Sequence, residues 1–489
     1  MNIIDAIIKP ISPTWALERA RARNVLAAYE SVKPTRTRKH PKDNSSGNTL
    51  TATATETLRG QARHLDQNHD ICRGILNNLV NYTVGSNGIG IEPQAMNKSG
   101  EVDAEFNKRI ARLFKDWSRK PETTQQLSWA QTQRMMCRTW LRDGEGLSKS
   151  VAGNVSGLNH GTKVPFSIEL LEADHIADVS DDERIVQGIE VNAWGQPRYY
   201  HLHDQHPSER TFYKLKTRRV SAGVIDHVKF TDRFKQLRGV SVFASAISRL
   251  NDLKDYEESE RIAAKISASM AAYIKKGSPD SYINNGEEDE DRDFSLSAGM
   301  IFDNLAPGEE VGTIQSNRPS ALLEYYRNAM IKAISSGTSS GFSSNAKTYD
   351  GTYSAQRQEL VEQWIHYAVL SSEFITQFVE PTYTRFIKVA IASGVLQVPA
   401  NIDRDTLFDA DFLTPSMPWI DPKKEAEGFE KLLGLKVTSP QKVIRARGDN
   451  PYEVLDQHQK WEQALADRGI QVVIEEPSPP NQNEPEEAA

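Results

Sequence analysis

The chain has 489 residues, 38% of them hydrophobic, and a net charge of -7, with a mean hydropathy of -0.56. That length exceeds one hydrophobic core, so two to four lobes are expected, and the negative balance excludes a protein that grips nucleic acid by global electrostatics. No apolar run approaches the roughly 18 residues of a membrane span, the start lacks a signal peptide's cleavage pattern, and the two cysteines, Cys72 and Cys137, point to a reducing compartment without a disulfide framework.

In chain order, residues 14–31 read as a helix, with a basic arm from Arg19 to Lys42 and a Thr/Lys/Pro/Ser-rich linker to about residue 55. A helix over 57–82 carries Leu58, Leu65, Cys72, Ile75 and Leu79, and stops at the turn Gly85-Ser86-Asn87-Gly88-Ile89-Gly90. Helices are expected at 101–118 and 127–142. From about 146 to 230 the pattern turns to β. A strand covers 166–176, and Trp194-Gly195-Gln196-Pro197 marks a hairpin between 186–193 and 198–203. Next comes Val242 to Lys276, without Gly or Pro, which as one helix would extend roughly 50 Å. Apolar residues sit near both of its ends, charge fills Asp252–Arg261, and small residues crowd the last third, as suits a subunit packing on copies of itself. The plainer alternative is a long helix across an ordinary domain.

An acidic loop at 287–293 leads to short strands near 296–303 and 310–315, then a helix at 319–335. A Ser/Gly/Thr-rich loop spans 335–353, free of proline and open to many conformations. A second long helix runs over 354–393, interrupted at Pro381, and helices return at 421–434, 439–447 and 451–468. The Pro/Glu/Asn-rich tail from Glu475 is expected to be disordered.

No P-loop is present, and the glycines at 85–90 have the wrong spacing for a dinucleotide fingerprint. Gly337-Thr338-Ser339-Ser340-Gly341 matches G-x-S-x-G, so a serine hydrolase using Ser339 is an alternative, but a helix rather than a buried strand precedes it. His201, His203 and His206 read as an exposed hairpin end rather than a metal site. No catalytic, cofactor or metal residue is assigned.

Six segments in series resemble the lambda-type phage portal protein family. They are Gln61-Ala62-Arg63-His64-Leu65 with Asn68, residues 79–93, D-R-F-K-Q-L-R-G-V-S at 232–241, residues 298–311, Tyr353-Ser354-Ala355-Gln356-Arg357 and residues 418–426. The chain departs from the family where a Pro and an aromatic usually follow the 319–335 helix, and where an Asn commonly precedes Tyr353.

The resemblance implies a mixed α+β, multi-lobed portal fold of wing, two-helix stem, β-rich clip and helical C-terminal crown. Such subunits assemble into a ring of twelve at one capsid vertex. By analogy 1–56 is an arm and linker, 57–126 the first part of the wing, 127–145 and 241–277 the stem helices, and 146–240 the clip with its return. Residues 278–334 would be the second part of the wing, 335–353 the tunnel loop, 354–420 the long wing helix and its connection, 421–474 the crown, and 475–489 the tail. The loop residues Ser339, Ser340, Ser343, Ser344 and Lys347 would line the channel, and Ile266, Ser267, Ala268, Met270 and Ala271 would form the stem interface. The implied partners are further copies of the chain, double-stranded DNA held without sequence specificity, the terminase large subunit, major capsid or scaffold protein, and head-completion or tail connector proteins. No membrane or cofactor is implied; the protein would reside in the virion, and in host cytoplasm during assembly. Twelve helices at about 8–10 Å spacing leave a hole of roughly 20–28 Å, and an acidic wall lets a duplex slide. A minor capsid or scaffold protein that forms no ring is the remaining alternative.

Overall fold

The protein is described by a computed structural model covering residues 44–181, 184–209, 216–268, 272–276, 309–313, 322–417 and 421–470. The expected helix at 14–31, the basic arm, the acidic loop, the strand near 296–303 and the tail lie outside these residues.

Helix α1, Gly47–Asn68, begins well before residue 57 because Ser46 accepts a hydrogen bond from the Thr49 amide and caps it. His69, in an extended conformation, separates α1 from α2, Asp70–Thr83, so the single helix expected over 57–82 is two. Both cysteines are fully buried. Strand β1, Gly90–Pro93, leads to α3, Ala104–Trp117, and α4, Trp129–Asp143. Helix α4 opens on a capping box between Ser128 and Gln131. The core gathers on aromatic rings: Trp117 lies 5.6 Å from Phe166 and 5.4 Å from Phe386, Phe114 5.2 Å from Phe386, and Trp129 5.3 Å from Phe378.

The β region divides into two sheets. Strands β2, Glu145–Ala152, β3, Phe166–Glu172, and β8, Ile225–Lys229, form an antiparallel sheet in the order β3-β2-β8. Its Phe166, Ile168 and Val228 belong to the main core, and the Trp117 indole donates to the Phe166 carbonyl at 2.8 Å. Strands β4, Ile185–Val186, β5, Ile189–Val191, β6, Pro197–His203, and β7, Thr217–Ser221, form a second antiparallel sheet over a smaller cluster that includes Leu147, Tyr200 and Leu202. The expected β-rich insert is thus only partly separate.

Two expectations about 127–145 and 241–277 are corrected. The long helix is shorter: α5 covers Ile247–Ala268, and strand β9, Ala272–Lys276, pairs antiparallel with β10, Glu309–Thr313. The register sets Lys275 opposite Glu310 and Lys276 opposite Glu309, so cross-strand pairing of Tyr273 and Ile274 prevails over helical spacing. Nor do α4 and α5 make the helix pair. Helix α4 packs on α1, α2 and β2, whereas α5 lies along α6, Leu323–Gly337. The Tyr256 and Tyr326 rings are 4.4 Å apart, and the Arg327 guanidinium donates to Glu257 at 2.8 Å. Ser245 meets Gly337 at the other end, so the two helices run antiparallel.

After a short helix α7, Phe342–Ala346, helix α8, Tyr353–Phe374, passes through a π-turn, Ile375–Val379, into α9, Glu380–Ala392. Pro381 has no N–H to donate backward, and the π-turn absorbs that loss without ending the helix. Strand β11, Ala410–Leu413, pairs with β1. The chain then forms α10, Pro422–Gly434, α11, Pro440–Ala446, and α12, Pro451–Asp467, each with a proline in its first turn.

Phe386→Ala is expected to destabilise this core by roughly 3–5 kcal/mol. The measurement is the urea midpoint; an unchanged midpoint would remove the aromatic cluster from the stability of the fold.

Candidate functional site

Helices α6 and α8 are joined by the loop expected to be open, and its residues are instead bonded to one another. Thr338 Oγ1 donates to the Ile334 carbonyl at 3.0 Å and lies 2.8 Å from Ser340 Oγ. The Asn345 amide donates to Ser335 Oγ at 2.9 Å and Ser340 Oγ at 2.7 Å, and its oxygen accepts from Asn78 on α2 at 3.2 Å. The Ser343 amide donates to Glu359 on α8 at 3.0 Å, and the Ser343 hydroxyl bonds the same carboxylate. Ser335, Thr338, Ser340 and Asn345 are buried. The serines that composition marks as flexible thus supply the short side chains that fold the loop.

Two residues in this loop take the left-handed backbone region without being glycine, Ser339 at φ 50° and Lys347 at φ 57°. Lys347 follows α7 and is exposed, with no ion-pair partner among the described residues. Ser339 is exposed, Ser340 is buried, and Ser343 and Ser344 are half-buried. A helix precedes Ser339, and among the described residues no histidine hydrogen-bonds to it. A nucleophile elbow needs a preceding strand and a base within reach, so the loop lacks the parts of a hydrolase site.

Of the residues expected at the stem interface, Ile266, Ser267 and Ala268 close α5, and Met270 and Ala271 lie outside the described residues.

The 232–241 segment, which leads toward α5, rests on a buried ionic joint. Glu145 of β2 is fully buried, and Arg238 donates to it at 2.8 Å, the Gly239 amide at 2.9 Å and His227 at 3.0 Å. Burial alone would raise the Glu145 carboxyl; the Arg238 charge and the His227 hydrogen bond outweigh it and hold the group far below the usual carboxylate range. Burial pushes His227 down more than Glu145 pulls it up, so the ring is neutral, with Nε2 donating to Glu145 and Nδ1 facing the Tyr200 hydroxyl at 3.3 Å. Close approach shapes the same place. Gly144 ends α4 at φ 88°, and a Cβ on Gly239 would stand 2.0 Å from the Gly144 carbonyl oxygen. The 232–241 segment can therefore carry only glycine at 239.

Arg63 continues the joint. Its guanidinium meets Asp143 at 2.6 Å, Asp174 at 2.7 Å and Glu172 at 3.1 Å. His206 lies 3.5 Å from Glu172 and 3.8 Å from Asp174. Glu172, Asp174 and His206 offer ligand atoms within 4.8 Å of one another. The Arg63 guanidinium already bonds the same two carboxylate oxygens, so the cluster is an ion-pair network and not a cation cage. His201 and His203 lie on β6 and are not part of this cluster. Sequence reasoning missed Glu145, whose trace in the sequence is the Asp143-Gly144-Glu145 turn and the Arg238-Gly239 pair.

The described residues thus set a bonded loop at the end of a helix pair. The model of the lambda family of phage portal proteins matches residues 33–370. The chain is also 22% identical over 421 residues to a "Probable portal protein" of Halomonas phage phiHAP-1, covering 82% of this chain and 79% of that one. Solved structures matched by the chain include the neck of a native gene transfer agent particle computed with C12 symmetry, at 13% identity and a TM-score of 0.42, covering 83% of this chain and 99% of that chain. Another is the virion of a native gene transfer agent particle, at 12% identity and a TM-score of 0.44, with 83% and 99% covered. The family match spans more than half of the chain, and the chain belongs to the lambda family of phage portal proteins. It is a structural protein of the phage particle, not an enzyme, and forms the channel at one capsid vertex through which double-stranded DNA is packaged and ejected.

Asn345→Ala is expected to leave the Ser335 and Ser340 hydroxyls buried without their donor, at about 1–3 kcal/mol. Hydrogen exchange should then quicken over 338–348 with little change in the core; unchanged exchange would mean that Asn345 does not hold the loop.

A pH series tests the joint. The depressed Glu145 contributes stability that is present above its unfolded value of about 4.5 and lost as pH falls below it. The neutral His227 contributes stability that is present above about 6.5 and lost as pH falls below that. Asp226, which burial pushes up to about 6 against the pull of Arg385, works in the opposite sense. The urea midpoint should fall on acidification from pH about 6.5. Glu145→Gln should lower the midpoint at pH 7 by the equivalent of roughly 3–5 kcal/mol and flatten the limb below pH 4.5; an unchanged acid limb would remove Glu145 from the joint.

Proposed function

We propose that the channel is a ring of identical subunits, twelve on the family resemblance, in which the antiparallel pair α5 and α6 is the stem. The chain leaves α5 and returns to α6 through the paired strands β9 and β10, so these strands take the place of the clip. This replaces the clip expected at 146–240. The rest of the body forms the wing, and α10 to α12 form the crown.

The observation that carries the reading is the step from α6 through the bonded loop into α8, which leaves Lys347 exposed at a fixed place beside the stem. The loop at 335–353 is the tunnel loop. A ring presents one Lys347 per subunit, and an exposed ion pair with phosphate is worth at most about 1 kcal/mol, so a duplex is touched without being held. Ser339 is exposed and Ser344 half-buried in the same loop; the Ser340 and Ser343 hydroxyls serve the loop's own fold.

The terminase large subunit docks at the clip end, where head-completion and tail connector proteins follow it, and major capsid or scaffold protein surrounds the wing. These partners rest on the family alone, and so does residence in host cytoplasm during assembly.

Negative-stain images of the purified chain should show closed rings with a central hole, and Lys347→Glu should keep the rings while reducing the DNA packaged per particle. A compact monomer of 54.8 kDa at high concentration would overturn the ring, and unchanged packaging in the variant would remove Lys347 from the channel.

A further inference from the structure

Helix α8 is apolar on two faces. Tyr367, Leu370 and Phe374 are buried in the core, while Val361, Ile365 and Val369 line an open groove of about 510 Å³ on the opposite side. Ile365 is 66% exposed. A helix that is apolar on both faces is stable when both are covered, and of the residues lining the second face only Met417 comes from outside α8. Glu362 and Glu373 lie along one flank of this stripe, exposed and without ion-pair partners among the described residues.

The same chain carries a protrusion of matching character. The end of α10 is closed by a hydrogen bond from the Lys436 amide to the Leu433 carbonyl at 3.0 Å and from the Val437 amide to the Leu432 carbonyl at 3.1 Å. That pattern brings the residue after the left-handed position back beside the last turn. The left-handed position is Lys436, at φ 57°, where glycine is the usual occupant. The result is a fixed apolar knob of Leu432, Leu435 and Val437, with Leu435 73% exposed, bracketed by the exposed Lys431 and Lys436. Its own α10 is tied to α8 by the Arg357–Glu425 ion pair at 2.8 Å, yet the knob stays exposed and the groove open. One chain therefore does not close its own groove with its own knob.

We infer that the Leu432/Leu435/Val437 knob of one copy seats in the α8 groove of the next, with Lys431 and Lys436 facing Glu362 and Glu373. The occupant is a second copy because the apolar shapes and the opposite charges are both carried by this chain. The contact is head-to-tail: each copy gives a knob on one side and a groove on the other, the kind of contact that closes into rings when the rotation allows. The inference deepens the ring proposed above, and rests on it, by naming the surfaces that meet.

The test uses the full chain with Leu435→Asp in the knob or Ile365→Asp in the groove, and reads mass by analytical ultracentrifugation. Both positions are exposed, so neither change should unfold the subunit, and the urea midpoint checks this. Each variant alone should stay monomeric at concentrations where the wild type forms rings. Mixed in equal amounts, they should give a species of twice the monomer mass and nothing larger, because one intact knob meets one intact groove and the dimer ends on two spoiled surfaces. Rings from either variant alone, or a mixture that stays monomeric, would overturn the inference. So would loss of assembly in the groove variant only, which would mean groove-to-groove pairing. A wild type without closed rings would overturn the ring itself; the knob-in-groove contact would then stand or fall on the double-mass species.

Discussion

A fully buried carboxylate, Glu145, joins three stretches of chain that are far apart in sequence: the α4–β2 turn, β8 through His227, and the 232–241 segment through Arg238 and Gly239. Taking one ion out of water costs several kcal/mol, and only near-ideal geometry repays it. Here a guanidinium, a ring N–H and a backbone N–H all point at the same carboxylate. The Gly144–Gly239 approach then permits one path across the end of α4. Because α5 begins just after that path, its direction is set there, and through it the position of α6. Arg63 extends the clasp to Asp143, Glu172 and Asp174, and so ties α1 to the same corner.

The loop after α6 shows how a polar sequence can be rigid. Short hydroxyl side chains reach their own backbone and one another, and a single amide, Asn345, satisfies two of them at once while reaching across to α2. What a composition of Ser, Gly and Thr suggests is freedom. What decides the outcome is that the anchoring partners, Asn78 on α2 and Glu359 on α8, lie outside the loop.

The C-terminal helices present the opposite case. They are held to their own body by ion pairs, Arg357 with Glu425, Arg445 with Glu92 and Lys108 with Asp456, and α10 and α11 bury no side chain fully. Charge sets their place while the apolar residues Leu435, Tyr452, Leu455 and Trp461 remain exposed. A subunit that leaves this much apolar surface open gains stability from whatever covers it, so folding and assembly are linked.

By itself the sequence determined the family and most of the element list. Both rest on local pattern: period 3.6 in α3, α4 and the three C-terminal helices, a hairpin turn at 194–197, and the six family segments in order. It also placed Cys72 among the apolar residues of its helix, where the thiol is buried. Tertiary structure decided what local pattern could not. Residues 272–276 have helical spacing but pair as a strand, because a partner strand 37 residues away at 309–313 offers hydrogen bonds that no local pattern encodes. The partner of α5 is α6 rather than α4, because packing selects neighbours by the faces that remain after the core is filled. Glu145 was invisible for the same reason: a buried charge is recognised by the partners that surround it, and those partners meet only when the chain has folded.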